Sequence, residues 1–218
     1  MVRNIVILGT GGNSIDILDT LLEINRQKRI QYHCLGFLDD AVERHGQELL
    51  GHTILGPLAH ARELKDCFFV NGIGNEKNFW LKEEIIARTG VAPERFATIL
   101  HPSASVSRSS SLGFGTVVFQ NVSITSRVAV GDHVIILPNA VISHDDRIGD
   151  FTCIAGGTCI SGGVSIGRSC YLGSHCAIKD GLSIGDRCLI GMGSVVLQSV
   201  EANQVMVGNP ARRLRNTC

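Results

Sequence analysis

The sequence predicts two units in series, a small parallel α/β unit followed by a three-sided parallel β-helix. Three observations predict this. An aliphatic residue recurs at every sixth position from Leu100 onward. Small or β-branched residues recur two places before it. Ahead of Leu100 the period is absent, and the order is strand, loop, helix, strand.

The aliphatic positions are Leu100, Val106, Leu112, Val118, Ile124, Val130, Ile136, Ile142, Ile148, Ile154, Ile160, Ile166, Leu172, Ile178, Ile184, Ile190 and Val196. A helix repeats at 3.6 residues and a coiled coil at 3.5, so a period of six fits neither. It fits a triangular solenoid. Each hexad supplies one short strand and one corner, three hexads make a coil, and the aliphatic points to the axis. All these aliphatics are expected to be buried. Val122, Val128, Val134, Ala140, Thr152, Thr158, Val164, Cys170, Cys176, Cys188 and Ser194 read as small wall residues. Gly113, Gly131, Gly149, Gly167, Gly173, Gly185 and Gly191 follow an aliphatic and read as corner glycines free to take positive φ.

The N-terminal unit is read over residues 1–98 and the β-helix over 99–218. Ile5–Leu8 is a buried-strand run. Gly9-Thr10-Gly11-Gly12-Asn13-Ser14 is a glycine-rich turn, and Ile15–Ile24 has helical spacing. Cys34–Leu38 is extended and ends at Asp39-Asp40. Cys67–Val70 leads into Asn71-Gly72-Ile73-Gly74-Asn75, and Glu76–Arg88 reads as a helix. This order predicts a small Rossmann-like parallel sheet. The glycine loop has Ser14 where a dinucleotide fingerprint has its last glycine. A helix N-terminus behind glycines still suits a phosphate, and carboxylates after the second strand suit sugar or base hydroxyls. An ordinary tight turn is the other reading.

Composition narrows the partners. The net charge is zero over 218 residues, with no basic stripe for nucleic acid. No apolar run approaches the roughly 18 residues of a membrane span. The start, Met1-Val2-Arg3-Asn4 and then Ile5–Gly9, reads as a strand and not as a signal peptide. Eight cysteines occur without a C-x-x-C pair. Cys170, Cys176 and Cys188 fall on wall positions, so they read as apolar filler in a reducing, cytoplasmic setting.

One hexad breaks the bland rhythm. Ile142-Ser143-His144-Asp145-Asp146-Arg147-Ile148 concentrates charge, and Asp146 stands where a small wall residue belongs. Buried charge is costly unless it is solvated or used. A solvated turn is the plain alternative. His101, His133 and His175 read as structural or exposed.

The hexads together with Val207-Gly208-Asn209-Pro210-Ala211-Arg212 resemble the hexapeptide-repeat acyltransferases. With the α/β unit in front, the whole chain resembles the sugar O/N-acyltransferases of bacterial glycan pathways. That resemblance implies a left-handed β-helix, acetyl-CoA as co-substrate without a metal, and a homotrimer with sites between subunits. It implies His144 as general base and Asp145 as its orienting carboxylate. An imidazole accepts a proton near neutral pH, and a carboxylate fixes its tautomer. It places the acceptor, a nucleotide-linked amino sugar of the 4-amino-4,6-dideoxy hexose type, at Gly11, Gly12, Asn13, Asp39, Asp40 and Gly74. Many relatives carry histidine at Asn13. For acetyl-CoA it implies Cys153, at a position where some relatives have a histidine near the thioester, backbone around Gly162, Ser174 and Met192, and Arg212 with Arg213 and Arg215 for phosphates. O-acetylation of a sialic-acid-type hydroxyl is a second reading. A γ-carbonic-anhydrase-like zinc enzyme, which needs three converging histidines, and a non-catalytic scaffold are more distant ones.

Overall fold

The computed structural model describes residues 2–27 and 31–217. In the N-terminal unit β1 (Val2–Leu8) is followed by α1 (Gly12–Arg26) and β2 (Gln31–Leu38). A short edge pair follows, β3 (Glu48–Leu49) and β4 (His52–Gly56), and then β5 (Phe68–Asn71). The sheet order is β3-β4-β2-β1-β5, parallel except for the β3/β4 pair. The sequence pattern predicts no strand over β3 and β4, which are only two and five residues long and are separated by the turn Leu50-Gly51. The expected helix over Glu76–Arg88 is shorter. A 3-10 turn at Phe79–Leu81 leads into α2 (Lys82–Ala87).

From Ile99 the chain coils as a three-sided prism. Seventeen two-residue strands run from Ile99–Leu100 to Val195–Val196, each ending on one of the predicted aliphatics. Register confirms three hexads per coil, since Val117 pairs with Ile135 and Ile135 with Cys153. The first face carries Val117–Val118, Ile135–Ile136, Cys153–Ile154 and Tyr171–Leu172. The second carries Ser123–Ile124, Val141–Ile142 and Cys159–Ile160. The third carries Ala129–Val130, Arg147–Ile148 and Ser165–Ile166. Gln204–Val207 and Arg212–Asn216 extend the first face as a terminal antiparallel pair.

Two details of the repeat differ from expectation. The aliphatics from Val118 onward are buried along the axis, but Leu100 is 38% exposed and Val106 and Leu112 are half-buried. Among the described residues no coil lies above the first one to cover them. The left-handed corner residue is not the glycine after the aliphatic. It sits two places further on, at every sixth residue from Gly115 to Gly193, and it is more often another residue, such as Asn121, Arg127, His133, Asn139 or Asp145, than glycine. The glycines after the aliphatic serve close approach instead. A Cβ at Gly149 would lie 2.5 Å from the carbonyl carbon of Gly167 in the next coil.

The outward residues decide where the N-terminal unit sits. On the first face they are Val117, Ile135 and Cys153, and they share one core with Ile5, Ile7, Phe37 and Val70. On the other two faces they are mostly serine and alanine, and they remain half-buried or exposed. Burial at about 25 cal/mol per Å² of apolar surface therefore favours docking on the first face.

Candidate active site

A cavity of about 340 Å³ lies where the two units meet. Its upper wall is formed by loops at the carboxyl ends of β1, β2 and β5, and its floor by Ile135, Leu137, Cys153, Ala155 and Tyr171. β1 lies between β2 and β5, so the cavity opens at the switch point of the sheet, where α/β folds bind ligands. Gly11, Gly12, Asn13, Asp39 and Gly74 all line it. The Asn13 amide donates to the Gly74 carbonyl at 3.1 Å and ties two of the loops together. Ser14 is fully buried, and a Cβ on Gly72 would lie 2.2 Å from its Oγ. The close packing that a dinucleotide fingerprint assigns to its last glycine is supplied here by Gly72.

The acidic pair divides. Asp39 faces the cavity, accepting from the Thr10 hydroxyl at 2.6 Å and from the Ala41 N–H at 2.9 Å. Arg44 donates to Thr10 and completes this polar rim. Asp40 does not line the cavity. Its carboxylate accepts the Leu58 N–H at 2.9 Å and holds the start of the 3-10 turn Leu58–Arg62. Two successive residues leaving a strand point to opposite sides, so only one of the pair can face the ligand.

Sequence reasoning missed Lys82. It is fully buried behind the cavity, with Nζ 3.5 Å from Cys153 Sγ, and burial pulls its pKa down. The signal was its place on the apolar stripe of its helix, between Phe79 and Ile86. His133 is also buried. It stacks on Phe151 and meets Phe96 edge-on, and burial lowers its pKa to about 4.

His144 stands elsewhere, on the corner between the second and third faces. Its Nδ1 lies 2.8 Å from Asp145 Oδ2. Arg127 of the preceding coil grips both oxygens of Asp145, at 2.6 and 2.8 Å. The Arg127 bonds, and then the one from His144, hold the Asp145 carboxyl well below the usual carboxylate range. An ionised carboxylate only accepts, so Nδ1 carries the proton and Nε2 of the neutral ring is bare. The side chain is 63% exposed. Its floor is Gly162, where a Cβ would lie 2.6 Å from Cε1 and 2.7 Å from Nε2. Any side chain there would displace the ring.

The predicted donor residues are also divided. Gly162 is on the His144 edge. Ser174 and Met192 lie on the edge between the first and second faces, in line with the cavity residues Leu137 and Ala155. The Ser174 carbonyl accepts the Gly193 N–H at 2.8 Å, and Met192 is 80% exposed. Cys153 sits in the cavity floor, and its thiol faces the N-terminal unit. Arg212 lines a second cleft with Leu197, Met206 and Arg213. The edge bearing His144 is the one opposite the first face, so one chain does not bring its imidazole to its own cavity. Among the described residues no three His, Cys, Asp or Glu side chains converge to hold a metal, and no helix is long and apolar enough to cross a membrane.

Comparisons with known proteins agree with this architecture. The family model "Hexapeptide repeat of succinyl-transferase" matches residues 163–198. No curated protein matches the sequence. Among solved structures, PerB from Caulobacter crescentus, determined with CoA and GDP-perosamine, is 26% identical with a TM-score of 0.84, covering 97% of this chain and 97% of that one. The acetyltransferase domain of PglB from Neisseria gonorrhoeae is 24% identical with a TM-score of 0.82, over 97% of this chain and 100% of the other. WeeI from Acinetobacter baumannii is 24% identical with a TM-score of 0.82, over 98% and 100%. The β-helix is accordingly the left-handed one of these hexapeptide proteins.

Proposed function

We propose that this chain, a member of the hexapeptide-repeat sugar acyltransferase family, moves an acetyl group from acetyl-CoA to the amine of a nucleotide-linked amino sugar. The observation that carries the reading is the imidazole of His144, held through Nδ1 at 2.8 Å from Asp145 Oδ2, which leaves Nε2 to act as the base. The likeness to PerB, and to a second structure of the Caulobacter crescentus perosamine N-acetyltransferase at 25% identity, supports the substrate class.

The chemistry follows from that geometry. The amine forms a C–N bond to the thioester carbonyl carbon, and Nε2 takes the N–H proton. The C–S bond breaks, and the imidazolium returns the proton to the departing thiolate. No covalent enzyme intermediate is needed. Asp145 keeps the ring in one tautomer and stabilises its charged form. Arg127 holds Asp145 in place and favours its ionised form. A base so placed contributes roughly 10²–10⁴-fold.

The cavity and the imidazole belong to different copies in this account. The glycine loop, Asn13, Asp39 and Gly74 of one subunit bind the acceptor, and His144 of a neighbour in a homotrimer reaches its amine. The donor arm runs along the edge marked by Ser174 and Met192, with Arg212 near its phosphates. The bland outer rows of the second and third faces suit self-association. We place the enzyme in the cytoplasm, in keeping with cysteines that are free thiols, buried among the described residues except for Cys159.

The test is acetyl transfer from acetyl-CoA to UDP-, GDP- and dTDP-linked amino sugars, with sialic acid as the hydroxyl acceptor. Acetylation of one amino sugar that falls at least 10²-fold in His144→Ala supports the reading. Turnover of sialic acid alone, or full activity in His144→Ala, contradicts it.

A further inference from the structure

The wall position of the repeat holds one charge. Asp146 is fully buried where the other hexads carry valine, alanine, threonine, cysteine, serine or, at position 182, leucine. Thr116 and Thr152 show what that position ordinarily does. Their hydroxyls accept the N–H of the residue eighteen places on, Val134 and Cys170, each at 3.1 Å. They also donate to a carbonyl of the next coil, Gly131 and Gly167, at 2.8 and 2.9 Å. A neutral hydroxyl therefore stitches coil to coil.

Asp146 makes the first of these bonds and replaces the second. Its Oδ1 accepts the Val164 N–H at 2.8 Å, eighteen places on. Its Oδ2 turns back within its own corner and accepts, at 3.0 Å, the Ser143 N–H that is shared with the Ile160 carbonyl of the next coil at 3.1 Å. The residue it anchors precedes His144. The strand it anchors follows Gly162 and Gly163, the floor of the ring, and Gly163 donates its N–H to the His144 carbonyl at 2.9 Å. One carboxylate thus spans the backbone that carries the imidazole and the backbone on which the imidazole rests. A threonine can hold only the second. Desolvation pushes the Asp146 carboxyl up to about 6, so a penalty is carried here that the other coils avoid.

We infer that Asp146 is a positioning residue, which locks the His144 corner onto the next coil so that Nε2 keeps its aim at the acceptor amine. This rests on the reading of His144 as the general base. Misplacing a reacting group by about 1 Å can cost on the order of 10²-fold in rate.

The experiment compares Asp146→Thr, His144→Ala and the double variant, by steady-state kinetics and thermal melting. Asp146→Thr keeps the coil-to-coil bond and loses the Ser143 tether. The expected result is kcat down about 10–100-fold, both KM values unchanged, and no fall in Tm. A residue that acts only through His144 adds nothing once the imidazole is gone, so the double variant should match His144→Ala. Wild-type kcat in Asp146→Thr, or losses that multiply in the double variant, overturn the inference while leaving His144 as base. Full activity in His144→Ala overturns the functional reading instead. Asp146→Val, the wall residue of several other coils, substitutes if the threonine variant does not fold. Failure of both to fold contradicts the positioning role, because Asp146 would then be holding the prism together.

Discussion

The ring of His144 lies on the bare backbone of Gly162, eighteen residues further along the solenoid and one coil below it. Gly162 is not in the left-handed region, so alanine there meets no backbone strain, only the imidazole. Gly162→Ala should therefore keep the fold while pushing the ring aside. The expected outcome is kcat lower by about 10–100-fold with Tm nearly unchanged. Unchanged kcat would show that ring placement is not critical.

The Arg127–Asp145–His144 chain predicts a ranking of losses. Arg127→Gln frees the carboxylate but leaves it an acceptor, and should cost about tenfold in kcat. Asp145→Asn can donate to Nδ1 and favour the wrong tautomer, and should cost roughly 10²–10⁴-fold. Kinetics on both variants check this order. Equal losses would mean that control of the tautomer is not what Asp145 contributes.

Asp146 makes stability depend on pH in a known direction. Its native carboxyl holds its proton up to about 6, against 3.8 for the ordinary group. Between those values the folded state binds more protons than the unfolded one, so this group's contribution falls as pH rises. His144 and Asp145 face it from its own corner, and Arg127 from the coil above through Asp145. The Ser161-Gly162-Gly163 corner below brings no charge. The Tm of Asp146→Thr minus that of wild type should increase from pH 4 to pH 7. A constant difference would contradict the assignment.

The buried Lys82–Cys153 pair predicts strong coupling. Removing the thiol alone leaves the lysine without its partner in the core. Cys153→Val leaves a buried donor unsatisfied and should cost about 1–3 kcal/mol in urea unfolding, and adding Lys82→Met should recover most of it. Additive losses would show that the two side chains do not interact.

Much of the prism was legible because burial on an axis imposes a strict period. Every predicted aliphatic closes a strand. What a period cannot show is where the stack ends, and so it predicts Leu100 as core although 38% of that residue is exposed. Nor does it show why a small residue is small. The glycines after each aliphatic answer to the backbone of the next coil, which is eighteen residues away. The cavity was largely legible in the glycine loop, Asp39 and Gly74, because strand ends and helix starts are local features. Asp40 was not, since its partner Leu58 belongs to a turn that sequence pattern left unassigned. The separation of His144 from the cavity was also hidden. It depends on which face the N-terminal unit covers, and the signal was the apolar row Val117, Ile135, Cys153 and Tyr171 set against rows of serine. The carboxylate at Asp146 was visible as an anomaly, but its two backbone partners were not.

The central claim is that a working site joins His144 of one copy to the cavity of another, and subunit mixing tests it most directly. His144→Ala and Asn13→Trp, the second chosen to obstruct the cavity, would each be prepared as inactive homo-oligomers. They would then be dissociated and reassembled together in equal amounts. Shared sites predict recovery of about one quarter of wild-type kcat, the fraction of random pairings that joins an intact imidazole to an intact cavity. Activity that stays at the level of the separate variants, with mixed oligomers demonstrated, would contradict the account.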